Sequence, residues 1–531
     1  MLSQRIILNF ILIILISVYA FLINQISANI GVMPIDTFAF FDSGFSILKN
    51  KIPIRDFWAF TGLVVDYLQA LFFWIFGENW NSYVYHACFV NIFASLSFYF
   101  FLQKLKLSKI YSFLYTISFA TLCYPVSGTP FAYIHSYVFS LLSIFCLCIA
   151  IKEKNLFFWF LLPILSFFGF FSMQTPSIFI IFIVIIFSIY FFINEKNLKI
   201  LKTFLLSGIV SFIFIIFYLL ASKTPLENFL YQYFLFPLSI GGERLASEPG
   251  AYVSLLNQLN FNRFFGDFKF LHIFYLPLIF ITIRLFYKDS KNNLKKINLI
   301  IIFAVFAFLF NQLITANQIF IFSLIPIVAS ILHLNLKEFK SKNILIILIL
   351  LMIFFSTTKF HYRYNIDRKF HDLENVDKNQ AVDSVKIDNK MKNLKWVTPY
   401  SISNYNDPQK EIDFLKQSIG ILQSDKRNKV LITHYNFLSL ILDEDLNLLN
   451  RWYLWENDTH PTETHKYFPI YKKMVNKNLK KNNIEVIYLL GQKDEILFNN
   501  VKNYFTKKCF NSKTIVKNRF SYHEIVNCKK K

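Results

Sequence analysis

The chain is predicted to be a polytopic α-helical membrane protein of about eleven spans with a C-terminal α/β domain on the outer side. Three observations predict it. Of 531 residues, 55% are hydrophobic and the mean hydropathy is +0.43, more apolar than a soluble enzyme. Apolar runs near the length that crosses a bilayer recur from residue 4 to residue 359. From 360 to 531 the composition changes abruptly, to 30 Lys plus Arg and 20 Asp plus Glu with no such run.

The predicted spans are 4–28, 84–103, 109–125, 132–151, 156–173, 176–193, 201–221, 271–287, 297–314, 317–335 and 343–359. The shorter runs 63–77 and 226–240 read as interfacial or re-entrant pieces. The first run has a single leading Arg5 and no small-residue cleavage site after it, so it reads as an anchor and not a signal peptide. The 66 phenylalanines accompany abundant Ile, Lys and Asn and read as lipid-facing side chains, not as an aromatic binding surface.

Basic residues orient the bundle, because short loops rich in Lys and Arg stay in the cytoplasm. With the N-terminus inside, the cytoplasmic side holds 17 Lys and Arg, including Lys104, Lys152, Lys196, Arg284 and Lys337. The outer side holds eight: Lys49, Lys51, Arg55, Lys223, Arg244, Arg263, Lys269 and Lys359. This topology puts the external loops 29–83 and 222–270, and the whole 360–531 segment, outside. Residues 1–359 then form the membrane domain.

The tail is long enough for its own core. Lys429–Thr433 and Glu485–Gly491 are apolar runs of buried-strand type, and 409–423 and 466–482 have helical spacing. Their alternation predicts a small parallel sheet. Residues 365–395, rich in Asp, Asn and Lys, read as an exposed linker with some helix. Cys88, Cys123, Cys146 and Cys148 fall in spans and read as small buried hydrophobes. Cys509 and Cys528 fall in the outward-facing tail, where a disulfide between them is expected in an oxidising compartment. No zinc spacing, phosphate-binding glycine loop or dinucleotide fingerprint is present.

The most informative stretch is 31–67. Up to residue 359 there are 13 Asp and Glu, and five of them, Asp36, Asp42, Asp56, Asp66 and Glu78, fall between 36 and 78. Carboxylates at a bilayer surface are costly to bury, so the clustering points to chemistry. Asp36 also reads as a helix cap, with Phe38, Phe41, Phe45 and Leu48 forming an apolar face behind it. Asp42, six residues on, lies about 240° around the helix from Asp36.

Asp36, then Pro53-Ile54-Arg55-Asp56-Phe57 and Gly62, resembles the first external loop of GT-C superfamily membrane glycosyltransferases, of the protein O-mannosyltransferase and lipid A aminoarabinose transferase type. That loop runs as an Asp-Glu pair, an amphipathic helix, a Gly-x-x-Pro-Tyr-Arg-Asp-Phe turn and an apolar segment ending Phe-Gly. The corresponding residues are Asp36-Thr37, 38–49, Asn50 to Phe57, and Leu71 to Gly77, about 45 residues in all. Thr37 stands in place of the acidic neighbour and Asn50 where glycine is common.

The resemblance implies an enzyme of a bacterial cytoplasmic membrane that moves a sugar from a polyprenyl phosphate to an acceptor hydroxyl, with inversion. The acceptor is a glycan, a lipid or a protein; membrane lipids are partners and nucleic acid is not. A carboxylate takes the acceptor proton, and Asp36 is the candidate, with Asp56 and Asp42 as further carboxylates. Some family members use a divalent cation, Mg or Mn, for which Asp56 is the candidate ligand; it reads equally as a surface partner of Arg55. Positive charge stabilises the leaving phosphate. Arg244, in a glycine-flexed loop, is the first candidate, followed by Arg263 and Arg363, because the guanidinium fork matches phosphate oxygens. His135 reads as an assisting or an ordinary interfacial residue.

Three other readings stay open. A secondary transporter would show paired halves and charge near the bilayer midplane, and neither is evident. A surface-polysaccharide ligase or polymerase would use the 222–270 loop. A membrane-anchored binding module would use Trp452, Trp455, His460 and His465 in the tail.

Overall fold

The computed structural model describes residues 2–29, 37–124, 128–246, 255–287, 294–315, 321–336, 342–367, 376–398, 405, 407–453, 459–491, 498–499, 501–505 and 509–526. Helix α1 (Leu2–Asn29) precedes two short helices of the first loop, α2 (Ala39–Leu48) and α3 (Leu63–Phe76). Then come α4 (Trp80–Lys104), α5 (Lys109–Cys123), α6 (Ala132–Glu153), α7 (Leu156–Ser172), α8 (Gln174–Glu195) and α9 (Leu198–Ser222). Helices α10 (Leu226–Leu230) and α11 (Phe236–Ala246) flank a π turn at Tyr231–Leu235. The bundle closes with α12 (Lys269–Tyr287), α13 (Leu294–Ile314), α14 (Leu324–Asn335) and α15 (Lys342–His361).

Among the described residues, eight helices are long and apolar enough to cross a membrane: α1, α4, α6, α8, α9, α12, α13, and α15 with the turn that follows it. The other three predicted spans are also helices, but shorter, with 15, 17 and 12 residues in α5, α7 and α14. The chain is therefore a polytopic helical membrane protein, with a helix at each of the eleven predicted positions. Helix α6 is buried on nearly every face. Small polar residues knit it to its neighbours: Ser177 Oγ lies 2.8 Å from both Ser136 Oγ and Ser140 Oγ. A Cβ on Gly169 would come within 2.6 Å of Ser177 Oγ, the close approach that small residues allow between membrane helices.

The tail folds as a small α/β domain. After α15 a two-stranded ribbon, β1 (Val382–Asp383) with β2 (Lys395–Trp396), alternates with single 3-10 turns. Helix α16 (Pro408–Ser424) starts at Asp407, whose carboxylate accepts from Gln409 N at 2.8 Å, with Pro408 in the first turn. Next follow β3 (Lys429–Thr433), α17 (Leu438–Leu442), α18 (Phe468–Lys481), β4 (Val486–Leu490), β5 (Cys509–Val516) and β6 (Phe520–Val526).

The strands and helices predicted at 429–433, 485–491, 409–423 and 466–482 are all present. The sheet itself differs from the predicted one. Strands β3 and β4 are parallel, but β6 runs antiparallel to β4 and pairs with β5 as a hairpin, in the order β3-β4-β6-β5. The hairpin escapes the sequence because β5 sits at the sheet edge. Its residues 511–514, Asn-Ser-Lys-Thr, are exposed and form no apolar run. The stretch 376–398 likewise has turns and a ribbon where a linker with some helix was predicted.

This domain sits on one end of the bundle and covers the first loop. Lys49 and Lys51 pair with Asp443 and Asp445, each at 2.8 Å, and Asn393 donates to Asn81 at 2.9 Å. Trp58 N donates to Leu449 O at 2.8 Å, and Arg451 N to Trp58 O at 3.3 Å. The α10–α11 segment joins them: Ala59 N donates to Gln232 Oε1 at 2.9 Å, and Ser239 Oγ lies 3.1 Å from His465 Nε2. Three segments far apart in sequence therefore share one face.

Candidate functional site

The face is built around the first loop. Helix α2 shows the predicted apolar stripe: Phe41 packs edge-on to Phe73 and Tyr83, each with ring centres 5.2 Å apart. Its opposite side is buried as well, because the tail domain lies over it. Phe38 meets Phe437 at 4.6 Å and Phe40 meets Trp452 at 5.5 Å. The helix takes Phe38 as its N-cap with no side-chain capping bond. Just before it, the Thr37 carbonyl accepts a hydrogen bond from Tyr83 OH.

The loop then makes a tight turn. Asn50 has φ 63°, in the left-handed region that asparagine tolerates better than most residues. Asparagine thus fills the position where the resembling loops carry glycine. Ile54 has φ 72°, a strained conformation for a β-branched residue. It is fixed from outside: Gln232 Nε2 donates to Ile54 O at 2.8 Å, and Ile54 N donates to Phe57 O at 3.0 Å.

Asp56 closes the turn. Its Oδ2 accepts from Ile52 N at 2.9 Å and from Arg55 at 3.1 and 2.6 Å, while Oδ1 faces Lys481 Nζ at 3.4 Å. Burial alone would raise this carboxyl. The Arg55 and Ile52 hydrogen bonds and the Lys481 charge outweigh it and hold the group below the usual carboxylate range. Arg55 also donates to Ser222 O at 2.7 Å, tying the turn to the end of α9. With both oxygens held by N–H donors, Asp56 does not fit a divalent cation. Among the described residues no cluster of three or more His, Cys, Asp or Glu is placed to hold a metal.

Past the turn lies a buried ion pair. Arg451, 1% exposed, pairs with Asp66, fully buried in the first turn of α3. The same guanidinium donates to Thr61 O and stacks 4.9 Å from the Phe40 ring and 5.3 Å from that of Trp452. Ser43 Oγ donates to Asp66 Oδ1 at 2.5 Å. Burial pushes the Asp66 carboxyl up to about 6, against the lowering charge of Arg451 and the hydrogen bonds from Ser43 and Arg451. Gly62, at φ 78°, gives the Phe40 ring and the guanidinium room, since a Cβ there would lie 2.5 Å from the ring and 3.2 Å from an Arg451 nitrogen.

Asp42 lies on the other side of α2 and faces the tail domain, 3% exposed, with its Oδ1 unbonded. It lines a cavity of about 10 Å³ with Thr433, Tyr435, Asn436 and Ser439, at the carboxyl end of β3. Burial, relieved by a hydrogen bond from Ser439 and reinforced by the charge of Asp445, pushes its carboxyl up to about 7.

A second polar chain runs into the bundle. His86 Nε2 and His135 Nε2 are 3.0 Å apart, so one ring N–H lies between them. His86 Nδ1 is 3.0 Å from Gln69 Oε1, and His135 Nδ1 is 2.9 Å from Phe131 O. Gln69 thereby links α3 to α4 and α6. His135 is fully buried, not interfacial.

The other predicted residues fall as follows. Asp36 and Cys528 lie outside the described residues, as do Trp455 and the side chain of Arg244, whose backbone is in α11. Cys509 is disulfide-bonded, and the four span cysteines are free and buried. Arg263 is engaged with Asp267 at 3.3 Å, four residues on. Arg363 is exposed, 5.4 Å over the Tyr364 ring. Trp452, His460 and His465 are buried: Trp452 packs on the first loop, and His460 Nε2 is 3.0 Å from Tyr504 OH. They belong to the core and not to an open carbohydrate surface. The sequence reading missed Arg451 and Gln232. An arginine inside the aromatic run Asn450-Arg451-Trp452-Tyr453 was the signal for the first.

No protein-family model matches the sequence, and no curated relative aligns with it. Solved structures do resemble the chain. One is the crystal structure of the Archaeoglobus fulgidus oligosaccharyltransferase in complex with Zn and sulfate, at 11% identity, covering 89% of this chain and 67% of that one, with a TM-score of 0.42. Another is the archaeal oligosaccharyltransferase AglB from Archaeoglobus fulgidus in complex with an inhibitory peptide and a dolichol-phosphate. It shows 9% identity, covers 96% of this chain and 74% of that one, and has a TM-score of 0.44.

Proposed function

We propose that the chain is a membrane glycosyltransferase. It takes a sugar from a polyprenyl-phosphate carrier and transfers it, with inversion, to an acceptor hydroxyl at the outer face of the cytoplasmic membrane. The observation that carries this reading is the build of the first loop. Helix Ala39–Leu48, a tight turn at Pro53–Phe57 and an apolar helix ending Phe76-Gly77 follow in the order of the resembling loops. Helix Ala39–Leu48 and most of the turn are buried between bundle and domain, and helix Leu63–Phe76 buries the face that carries Asp66, Gln69 and Phe73, as a loop that must hold a reacting group in place requires.

In this reading Asp36 is the base. The residue after it, Thr37, is held by Tyr83, which gives the segment a fixed end. The acceptor hydroxyl loses its proton to the carboxylate as its oxygen bonds to the anomeric carbon, and the carrier phosphate leaves with the bonding electrons. Arg244 is the first proposed contact for that phosphate, with the exposed Arg363 next, while Arg263 is paired with Asp267. Asp56 and Asp66 hold the loop in shape through Arg55 and Arg451. No step is routed through a metal. The acceptor is a glycan, a lipid or a protein.

The test is sugar transfer from radiolabelled polyprenyl-phosphate donors in membranes carrying the wild type or Asp36→Asn. The wild type transfers and the variant loses at least a hundredfold, the scale of general-base catalysis. Equal transfer by the two removes Asp36 as base. No transfer from any donor by the wild type sinks the glycosyltransferase reading.

A further inference from the structure

The last turn of α9 carries Leu220, 73% exposed, so hydrocarbon reaches almost to the end of this span at Ser222. Three residues later Pro225 caps the start of α10. From α10 through α11 one side stays apolar and open: Leu226, Leu230 and Leu238 are 59%, 44% and 68% exposed. The other side, with Gln232 and Phe236, is buried against the first loop. An open apolar row on a segment that starts where a span ends belongs at the bilayer interface, with the segment lying along it.

Helix α18 of the tail domain rests on this segment. Gln232 Nε2 is 3.3 Å from Met474 Sδ, and the Tyr467 ring is 5.4 Å from that of Tyr231. Asn478 donates to Asp56 O at 2.6 Å. On the side away from these contacts, Val475 and Leu479 pack with Val430 and Ile487 of the sheet.

The open side of α18 is cationic. Residues 466–482 hold six lysines and no acid. At about 100° per residue, Lys481, Lys477 and Lys473 lie about 20°, 60° and 100° from Met474, turning away from the sheet. The row therefore flanks the side of α18 that rests on α10. Lys473, Lys477 and Lys480 are exposed. Lys481 reaches Asp56 at 3.4 Å, and among the described residues no carboxylate pairs with the other three.

Like charges in a row repel one another unless anions face them. A soluble polyanion would answer the lysines and leave the leucines bare in water. A bilayer surface answers both, with hydrocarbon for the apolar row and headgroup phosphates for the cationic one. We propose that α10–α11 and α18 together form a docking surface for anionic lipid headgroups, with Leu226, Leu230 and Leu238 at the hydrocarbon edge and Lys473, Lys477 and Lys480 on the phosphates. This surface seats the tail domain on the membrane and does not depend on the proposed transfer reaction.

Amine labelling read by mass spectrometry tests it on the full-length protein, in nanodiscs of phosphatidylcholine alone or mixed with phosphatidylglycerol. In the mixed discs labelling of Lys473, Lys477 and Lys480 slows about fivefold, the worth of one lysine at an anionic surface. Lys513, exposed on β5 at the far edge of the sheet, keeps its rate. Salt at about 1 M, where the Debye length is about 3 Å, removes the protection. Leu230→Gln with Leu238→Gln, both at exposed positions, weakens it. Equal rates in the two discs overturn the proposal, as does equal slowing at Lys513 or unchanged protection in the leucine variant. Equal rates in the discs with slowing only on addition of soluble polyphosphate would make the row a polyanion site and overturn it too.

Discussion

Arg451 of the tail domain and Asp66 of the first loop form a buried ion pair across 385 positions of sequence. The pair fastens the tail domain to the loop that the proposed chemistry uses. Removing one partner leaves an uncompensated buried charge, which costs about 3–5 kcal/mol. Arg451→Met and Asp66→Asn are each expected to lower the unfolding midpoint in detergent sharply. The double variant recovers a good part of the loss. Additive losses in that cycle would mean that the two groups do not act as a pair.

Asp42 makes the opposite prediction. Its carboxyl is raised from 3.8 to about 7 in the fold. A raised acid favours the folded state when protonated, so its contribution is present at low pH and is lost as pH rises from about 4 through about 7. Asp42→Asn is therefore expected to stabilise the protein at pH 8 by about 1–4 kcal/mol, and to change it little at pH 4. Thermal unfolding at the two pH values checks this, and a variant less stable at pH 8 would contradict it.

The turn at 50–57 depends on Gln232, which serves Ala59 N and Ile54 O together. Gln232→Leu leaves both backbone groups buried without that partner and is expected to cost about 2–4 kcal/mol in unfolding experiments. Asn50→Gly is expected to be close to neutral, and Asn50→Val to cost about 1–2 kcal/mol, because only the second resists a left-handed φ.

Tyr83→Phe removes the donor to Thr37 O without changing the shape of the side chain. Stability is expected to fall by only about 1 kcal/mol. If Asp36 is the base, the turnover rate falls about tenfold or more while the Michaelis constant for the donor stays close to the wild-type value. A change confined to the Michaelis constant would make the contact one of binding and not of positioning.

Local patterns of the first loop were legible one residue at a time. The surplus of acid at 36–78, the amphipathic stripe of α2 and the turn at Asn50–Phe57 are local patterns. Burial of both faces of α2 was not legible, because the second face is covered by Phe437 and Trp452, some 400 positions away. Asp66 was legible only as one acid of the cluster for the same reason: its partner lies in another domain. Asp56 read ambiguously, and the geometry resolved it toward Arg55 and Lys481.

The sequence by itself determined the membrane class, the position of each helix of the bundle and two strands and two helices of the tail. Hydropathy and helical period act within one segment, and a bilayer forces every apolar run to satisfy its own backbone as a helix. Only the tertiary structure decided which carboxylate meets which cation, that the β5–β6 hairpin joins the sheet antiparallel to β4, and that loop, α10–α11 and tail close on one another. Those outcomes rest on contacts between segments hundreds of residues apart, where charge pairing and shape are set by the packed fold and leave no spacing in the chain.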